Sequence, residues 1–177
     1  MSDRRIVFVA LGFIIILLTF KPSASAQSDY VLPYPSFMPG SKWYIVREVV
    51  DKFKKYWYFG TFAQFKYNLY TSDKYLVEAK TLFEYKQYLL GYQSLRKSNQ
   101  YFTTLKSTLK KAKREGKSIK EKEALLSNAA EKHIEVLGVL SQSLPATFEW
   151  KPEKEQPLIL HLQKLISASI EVRHLSM

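Results

Sequence analysis

The feature that most constrains this chain is the absence of proline between Pro39 and Pro145. Proline ends or kinks a helix, so a proline-free stretch of this length is where long helices can run. Apolar side chains recur in it at alternating steps of three and four residues, which is the period of a helix face. One stripe contains Phe62, Phe65, Leu69, Ser72, Leu76, Ala79 and Phe83, and the next contains Tyr88, Gly91, Leu95, Ser98, Phe102, Leu105, Leu109 and Ala112.

These stripes predict an all-α fold, an elongated up-down bundle of about four long helices plus a short C-terminal helix. No segment shows the period-two alternation of a β-strand over a useful length. The residues between Pro145 and Pro157 are expected to form a loop. The predicted helices are 41–59, a second from 61, a third from about 88, a fourth from about 118 to 144 and a short fifth from 158 to 175.

The helix boundaries are predicted from glycines and capping patterns. Gly60 and Gly116 are expected to end helices, and Thr61 and Ser118 are each followed three residues later by Gln or Glu, as in a capping box. No such signal is decisive near Lys86, where the usual lengths of helices favour a break over one continuous helix. The first helix carries Val46, Val49, Val50, Phe53 and Trp57 on one face.

Residues 1–26 have the pattern of a secretory signal peptide. Arg4 and Arg5 precede an uncharged run over 6–20, and Ala24 and Ala26 supply the small residues that a signal peptidase requires. The run is shorter than the roughly 20 residues of a spanning helix, although an uncleaved N-terminal anchor remains the alternative. The rest is predicted to be exported, as a Pro-rich extended arm over 27–40 and a helical bundle domain over 41–177.

Composition excludes several kinds of site. The chain has no cysteine, which removes disulfides, thiolate metal sites and thiol nucleophiles, and three histidines leave little for a dense metal centre. We therefore predict no cofactor and no metal. Lys and Arg outnumber Asp and Glu by 27 to 16. Eight of these cations cluster at the turn between the third and fourth helices: Lys106, Lys110, Lys111, Lys113, Arg114, Lys117, Lys120 and Lys122.

This basic cluster has two interpretations. It is a patch for anionic polymers, lipid head groups or nucleic acid, or it is a solvated turn whose cations suit the C-terminal end of a helix. No nucleic-acid-binding motif accompanies it. The sequence leaves both interpretations open.

Four residues of the predicted helices are of types that carry chemistry. His133 is either a metal ligand or pH sensor, or a half-buried histidine hydrogen-bonded to a neighbouring helix. Asp73 and Glu78 are five residues apart and so face different ways, which favours structural ion pairs, with Lys74 placed to reach Glu78. Ser72 has no glycine-rich elbow around it, which favours a small residue that lets two helices approach.

Several motifs resemble a family of exported bacterial helical proteins, catalogued as a domain of unknown function. The likeness spans about residues 30–140, and it implies export and an all-α fold but no activity, cofactor or site. The matching elements are Leu32-Pro33-Tyr34-Pro35, Pro39-Gly40, Trp43-Tyr44 with Arg47, the segment 73–79 with Tyr75 where the family has arginine, and the segment 132–137.

The sequence thus predicts a non-enzymatic helical scaffold or interaction module of a bacterial cell envelope. Its expected partner is a protein or an anionic envelope component, with membrane contact through residues 6–20 if the signal is not cleaved. Two alternatives stay open, a periplasmic-type stress chaperone or metal sensor, and a binder of anionic envelope polymers.

Overall fold

The computed structural model describes residues 29–35, 57–154 and 156–177, together with positions 44, 46, 49, 50 and 53. Most of this part of the chain is helical, which confirms the all-α prediction. The predicted signal segment over 1–26 and half of the predicted arm, residues 27, 28 and 36–40, lie outside the described residues. The elements are α1 (Thr61–Glu84), α2 (Tyr88–Arg114), α3 (Lys120–Ser143), β1 (Phe148–Trp150), β2 (Leu158–Leu160) and α4 (Leu162–His174).

The first two of these helices are separate and form an antiparallel hairpin. Lys86 has a φ of 59°, in the left-handed region. The amide of Lys86 donates to the Phe83 carbonyl and the amide of Gln87 to the Leu82 carbonyl, which together form a Schellman motif. A lysine in this conformation is strained compared with glycine. Because the residue at this turn is a lysine and not the usual glycine, the sequence near Lys86 has no clear signal for the end of a helix.

The end of α2 has the same construction with the expected glycine. Gly116 has a φ of 76°, and the Lys117 amide donates to the Ala112 carbonyl. The two predicted capping boxes are wrong, because the residues before the helices are Gly60 and Ile119 and neither helix has a side-chain cap. The Thr61 hydroxyl instead donates to Glu115 Oε2 at 2.5 Å, since the hairpin brings that carboxylate against it.

The predicted stripes face the core. Phe62 and Tyr88 are half-buried, and the other members of the α1 and α2 stripes are buried. Together with buried apolar residues of the later elements, they form two apolar clusters. The first contains Leu76, Ala79, Phe83, Leu95, Leu137, Leu140, Leu144, Leu160, Leu162 and Ile166, and the second contains Phe65, Leu69, Phe102, Leu105, Leu109, Leu126, Ala129 and Ala130.

A short antiparallel β-hairpin replaces part of the predicted loop and the start of the predicted fifth helix. Phe148 pairs with Leu160 and Trp150 with Leu158. The expectation of no strand is therefore wrong here, because strands of three residues are too short to show an alternating pattern. Leu158 is exposed rather than on a helix face, and the last helix begins at Leu162.

The described positions of the predicted first helix are helical, at residues 44, 46, 49, 50, 53 and 57, which we call the N-terminal helical segment. Its apolar side chains are exposed, with 68% of Phe53 and 81% of Trp57 accessible to solvent. The sequence placed these residues on one helix face, and that face lies in solvent, since an apolar stripe does not specify which partner covers it. None of the described helices is long and apolar enough to cross a membrane.

Candidate functional site

A layer of buried polar side chains separates the two apolar clusters. Each described helix contributes to it at the point where its run of apolar residues is interrupted. We call these residues, all buried except the half-buried Asn99, the polar layer: Ser72 and Asp73 of α1, Ser98 and Asn99 of α2, His133 of α3, and Ser169 and Arg173 of α4. Because buried polar groups are stable only when they are hydrogen-bonded, the partners of each group determine what the layer can do.

His133 lies at the centre of the polar layer and has no solvent exposure. Its Nε2 atom is 2.7 Å from Asp73 Oδ1, and Arg173 Nε donates to its Nδ1 atom at 3.3 Å. An arginine nitrogen can only donate, so Nδ1 is unprotonated and the ring proton is on Nε2, directed at Asp73. Burial lowers the pKa of His133 and, with the charge of Arg173, outweighs the hydrogen bond to Asp73, which raises it, so the imidazole is neutral at pH 7.

Asp73 also receives a hydrogen bond from the N-terminal arm. The Tyr30 hydroxyl donates to Asp73 Oδ2 at 2.6 Å, and Leu32 packs against the first apolar cluster. Burial and the neighbouring Asp73 carboxylate raise the pKa of Tyr30. The described part of the arm is thus held against the bundle by a partly buried hydrogen bond and by apolar packing, of Leu32 on the first cluster and of Tyr30 on the second.

Arg173 connects α4 to α2 and α3. Besides His133, its guanidinium donates to Asn99 Oδ1, to Ser98 Oγ at 2.9 Å and to the Ser169 carbonyl at 3.0 Å. The Phe102 ring lies 4.8 Å from the guanidinium carbon. Burial lowers the pKa of Arg173 to about 9, which still leaves it charged at neutral pH. It therefore balances the charge of Asp73 across a neutral histidine.

The two serines of the stripes bring α1 and α2 close together. Ser98 Oγ donates to the Ser72 carbonyl at 2.9 Å, and Ser72 Oγ lies 3.0 Å from the Ser98 carbonyl. This agrees with the expectation that Ser72 permits a close approach. Glu78, the other carboxylate of α1, accepts from Ser94 Oγ at 2.8 Å and from Tyr44 Oη at 3.4 Å.

The polar layer contains the residue types of an acid–base site, but its side chains are not accessible to a substrate. Asp73 is 3% exposed, and His133 and Arg173 are not exposed. A general base must reach the proton it takes from a substrate, and here the imidazole is enclosed by its own partners. In the described part of the chain, no three His, Asp or Glu side chains converge to hold a metal ion. The expected hydrogen bond from His133 to a neighbouring helix is confirmed, but the ring is fully buried rather than half-buried.

Sequence reasoning missed Arg173, Asn99 and Tyr30 as members of this network. A signal for Arg173 did exist, since it follows Leu162, Ile166 and Ser169 at steps of four, three and four, and so continues the buried face of α4. Tyr30 and Asn99 carried no comparable signal.

The eight predicted cations lie at one end of the bundle, which we call the basic end. Seven are exposed and Lys122 is half-buried. Lys117 pairs with Glu115 at 2.7 Å and lies over the Phe62 ring. Hydrogen bonds from Lys117 and Thr61, with the nearby charge of Lys111, lower the pKa of Glu115. The structure thus gathers these cations but places them on different faces.

Exposed aromatic side chains lie at the same end. The hairpin joins Thr61, the first residue of α1, to Glu115, just after α2. Trp57 and Phe59 precede α1 directly and are 81% and 82% exposed. The Tyr58 ring lies 5.1 Å from that of Tyr67, which fixes this part of the chain against α1. Large exposed aromatics and a surplus of cations therefore share one end of the molecule.

No family model, curated protein or solved structure matches this chain. The resemblance to exported helical proteins stays a prediction, and the roles of these residues are argued from their geometry.

Proposed function

We propose that this protein is a non-enzymatic interaction module of the bacterial cell envelope that binds an anionic membrane surface. The observation that carries the proposal is the exposed apolar face of the N-terminal helical segment, at Val46, Val49, Val50, Phe53 and Trp57. These positions follow the spacing of one helix face, yet they face solvent. Extended apolar patches on a protein surface mark sites for a partner or a membrane.

The charge of this segment favours a lipid surface as the partner. Residues 41–59 include the cations Lys42, Arg47, Lys52, Lys54 and Lys55 against the two acids Glu48 and Asp51. A segment with exposed aromatic and aliphatic side chains and a net positive charge suits the interface of an anionic bilayer. Tryptophan suits that position, because its ring has an apolar body and a polar N–H.

The position of the segment also supports this proposal. Tyr44 reaches Glu78, and Tyr58 packs on Tyr67, so the segment runs antiparallel to α1 along the side of the bundle. Its exposed face is directed away from the bundle, and it ends at the basic end. Cations there add attraction to anionic lipid, about 1 kcal/mol for each one near the surface.

The buried network supports the non-enzymatic part of the proposal. Asp73, His133 and Arg173 satisfy one another, and their bonds link four helices of the bundle. These bonds support a structural role for the three residues.

Export is a further part of the proposal, and it rests on the sequence of 1–26. The mass of the protein extracted from the envelope tests it, with loss of those 26 residues expected and a full-length cytoplasmic protein contradicting it.

The absence of cysteine from the chain permits a direct test of membrane contact. Single-cysteine variants Trp57→Cys and Tyr85→Cys of the full chain are labelled with an environment-sensitive dye and added to anionic or zwitterionic vesicles. Tyr85 is the matched control, since it is also an exposed aromatic (74%) but lies at the other end of α1. Residues 6–20 are the same in both variants, so any insertion of that segment into the bilayer affects both equally and does not alter the comparison of positions 57 and 85.

We expect the dye at position 57 to enter an apolar environment on anionic vesicles, and the dye at position 85 to stay in water. Equal responses at the two positions would contradict the proposal. So would a dye at position 57 that is already shielded without lipid and becomes exposed on dilution, because that outcome assigns the face to a second copy of the chain.

A further inference from the structure

The basic end contains an open cleft of about 580 Å³. It lies between the last turns of α2, the first turns of α3 and the C-terminal residues. Three lysines of α2, Lys106, Lys110 and Lys113, line it, and the buried side chains of Leu109 and Leu126 contribute an apolar wall. A volume of several hundred Å³ is in the range of small-ligand sites.

Three of the eight predicted cations line the cleft, and the other five do not. Lys106, Lys110 and Lys113 line it, whereas Lys111 and Lys117 act on Glu115. The sequence could not make this distinction, because all of them lie within one run of residues. The three lysines of the cleft occupy positions i, i+4 and i+7 of α2, so they lie on one face of that helix.

The spacing of these lysines indicates the kind of ligand. At 1.5 Å per residue, Lys106 and Lys113 are about 10 Å apart along the helix axis. The Lys106 ammonium is fixed by a hydrogen bond of 2.6 Å to the Leu175 carbonyl, at the end of α4. Across the cleft, Glu123 provides one opposing carboxylate. Three cations in a row over this distance suit a ligand with several negative groups better than a single small anion.

We infer that this cleft binds the phosphate groups of a polyanionic ligand, with Lys106, Lys110 and Lys113 as the binding residues. Ammonium groups bind phosphate as point charges, and three lysines of one helix face line the cleft. The inference goes beyond the proposed membrane contact, because it uses neither Phe53 nor Trp57. The phosphate has two possible sources, a soluble polyphosphate or the head groups of lipids.

A pair of matched variants tests the inference. Lys110→Gln/Lys113→Gln removes two cations that line the cleft, and Lys111→Gln/Arg114→Gln removes two cations of the same helix that do not. Both change the net charge equally and keep a good helix former at each position. Binding of inorganic tripolyphosphate to the full chain in nonionic detergent is measured by calorimetry at low salt.

We expect the cleft variant to bind tripolyphosphate at least about tenfold more weakly than the wild type, and the control variant to lose much less. In a second arm, a dye on Ala124→Cys, which lines the cleft, reports on phosphatidylcholine vesicles with and without phosphatidic acid. A response to tripolyphosphate identifies a soluble ligand, and a response to phosphatidic acid identifies a head group. Both outcomes support the site.

The inference is overturned if neither probe binds, or if the two double variants lose affinity equally, since the effect would then be one of overall charge. Circular dichroism of each variant checks that the helices are intact. The dye at position 57 tests the proposed function separately, so failure of one experiment leaves the other interpretable.

Discussion

The Nε2 atom of His133 lies 2.7 Å from Oδ1 of Asp73, and both side chains are closed off from solvent between two apolar clusters. Arg173 occupies the other side of the imidazole. A neutral ring thus connects a buried anion to a buried cation. Removing either charged member is costly, because it leaves the other charge unbalanced in a medium of low polarity.

We therefore expect Arg173→Met to lower the free energy of unfolding by about 3–5 kcal/mol. The matched control is Arg96→Met, which removes an exposed arginine of α2 and is expected to change stability by about 0.5 kcal/mol or less. Urea denaturation measures both. The double variant Asp73→Asn/Arg173→Met, which leaves no net charge, should recover part of the loss. Equal stability of the two single variants would contradict a charge-balancing role.

The state of His133 predicts a dependence of stability on pH. Burial lowers its pKa in the folded protein, so the unfolded chain, with a pKa of about 6.5, binds the proton more readily. The free energy of unfolding should then fall as the pH drops below about 6.5, by up to about 1.4 kcal/mol per pH unit. The slope should end where the folded histidine itself becomes protonated.

His133→Gln is the control for this titration, because glutamine can keep both hydrogen bonds but does not ionise. Denaturation of the variant and of the wild type at a series of pH values gives the difference due to His133 alone. Identical slopes for the two proteins would show that the histidine is not buried in the neutral form.

The turn after α1 offers a stabilising substitution. Lys86 adopts a φ of 59°, a conformation that glycine accepts at little steric cost. We expect Lys86→Gly to raise the free energy of unfolding by about 1 kcal/mol, after the entropy that glycine gains in the unfolded chain is deducted. Gly116→Ala, at a φ of 76° in the equivalent turn, should lower it by a similar amount. Thermal melts that shift in the same direction for both would refute this.

Two helical glycines are expected to respond oppositely to alanine. A Cβ at Gly91 would lie 2.7 Å from Cδ1 of Phe83, a side chain packed in the first apolar cluster, whereas at Gly138 it would meet nothing within 4 Å. Gly91→Ala should therefore cost about 1–3 kcal/mol of stability, and Gly138→Ala should add about 0.5–1 kcal/mol. A gain at Gly91 would mean that α1 and α2 are not in contact there.

Sequence reasoning found most of the helical fold. The steps of three and four residues located the buried faces of α1 and α2, because the helix period and the avoidance of water act on the same positions. The same reasoning failed for strands of three residues, and it missed a turn made by a lysine in a conformation that usually selects glycine.

The candidate sites depended more on tertiary structure. The sequence determined that this chain forms helices with apolar stripes, that polar residues such as Ser72 and His133 interrupt them, and that cations cluster after Lys106. These are properties of neighbouring residues on one helix. Packing decided that Asp73 and Arg173 meet at His133, that Trp57 stays exposed and which lysines line the cleft, because each depends on residues that are distant along the chain.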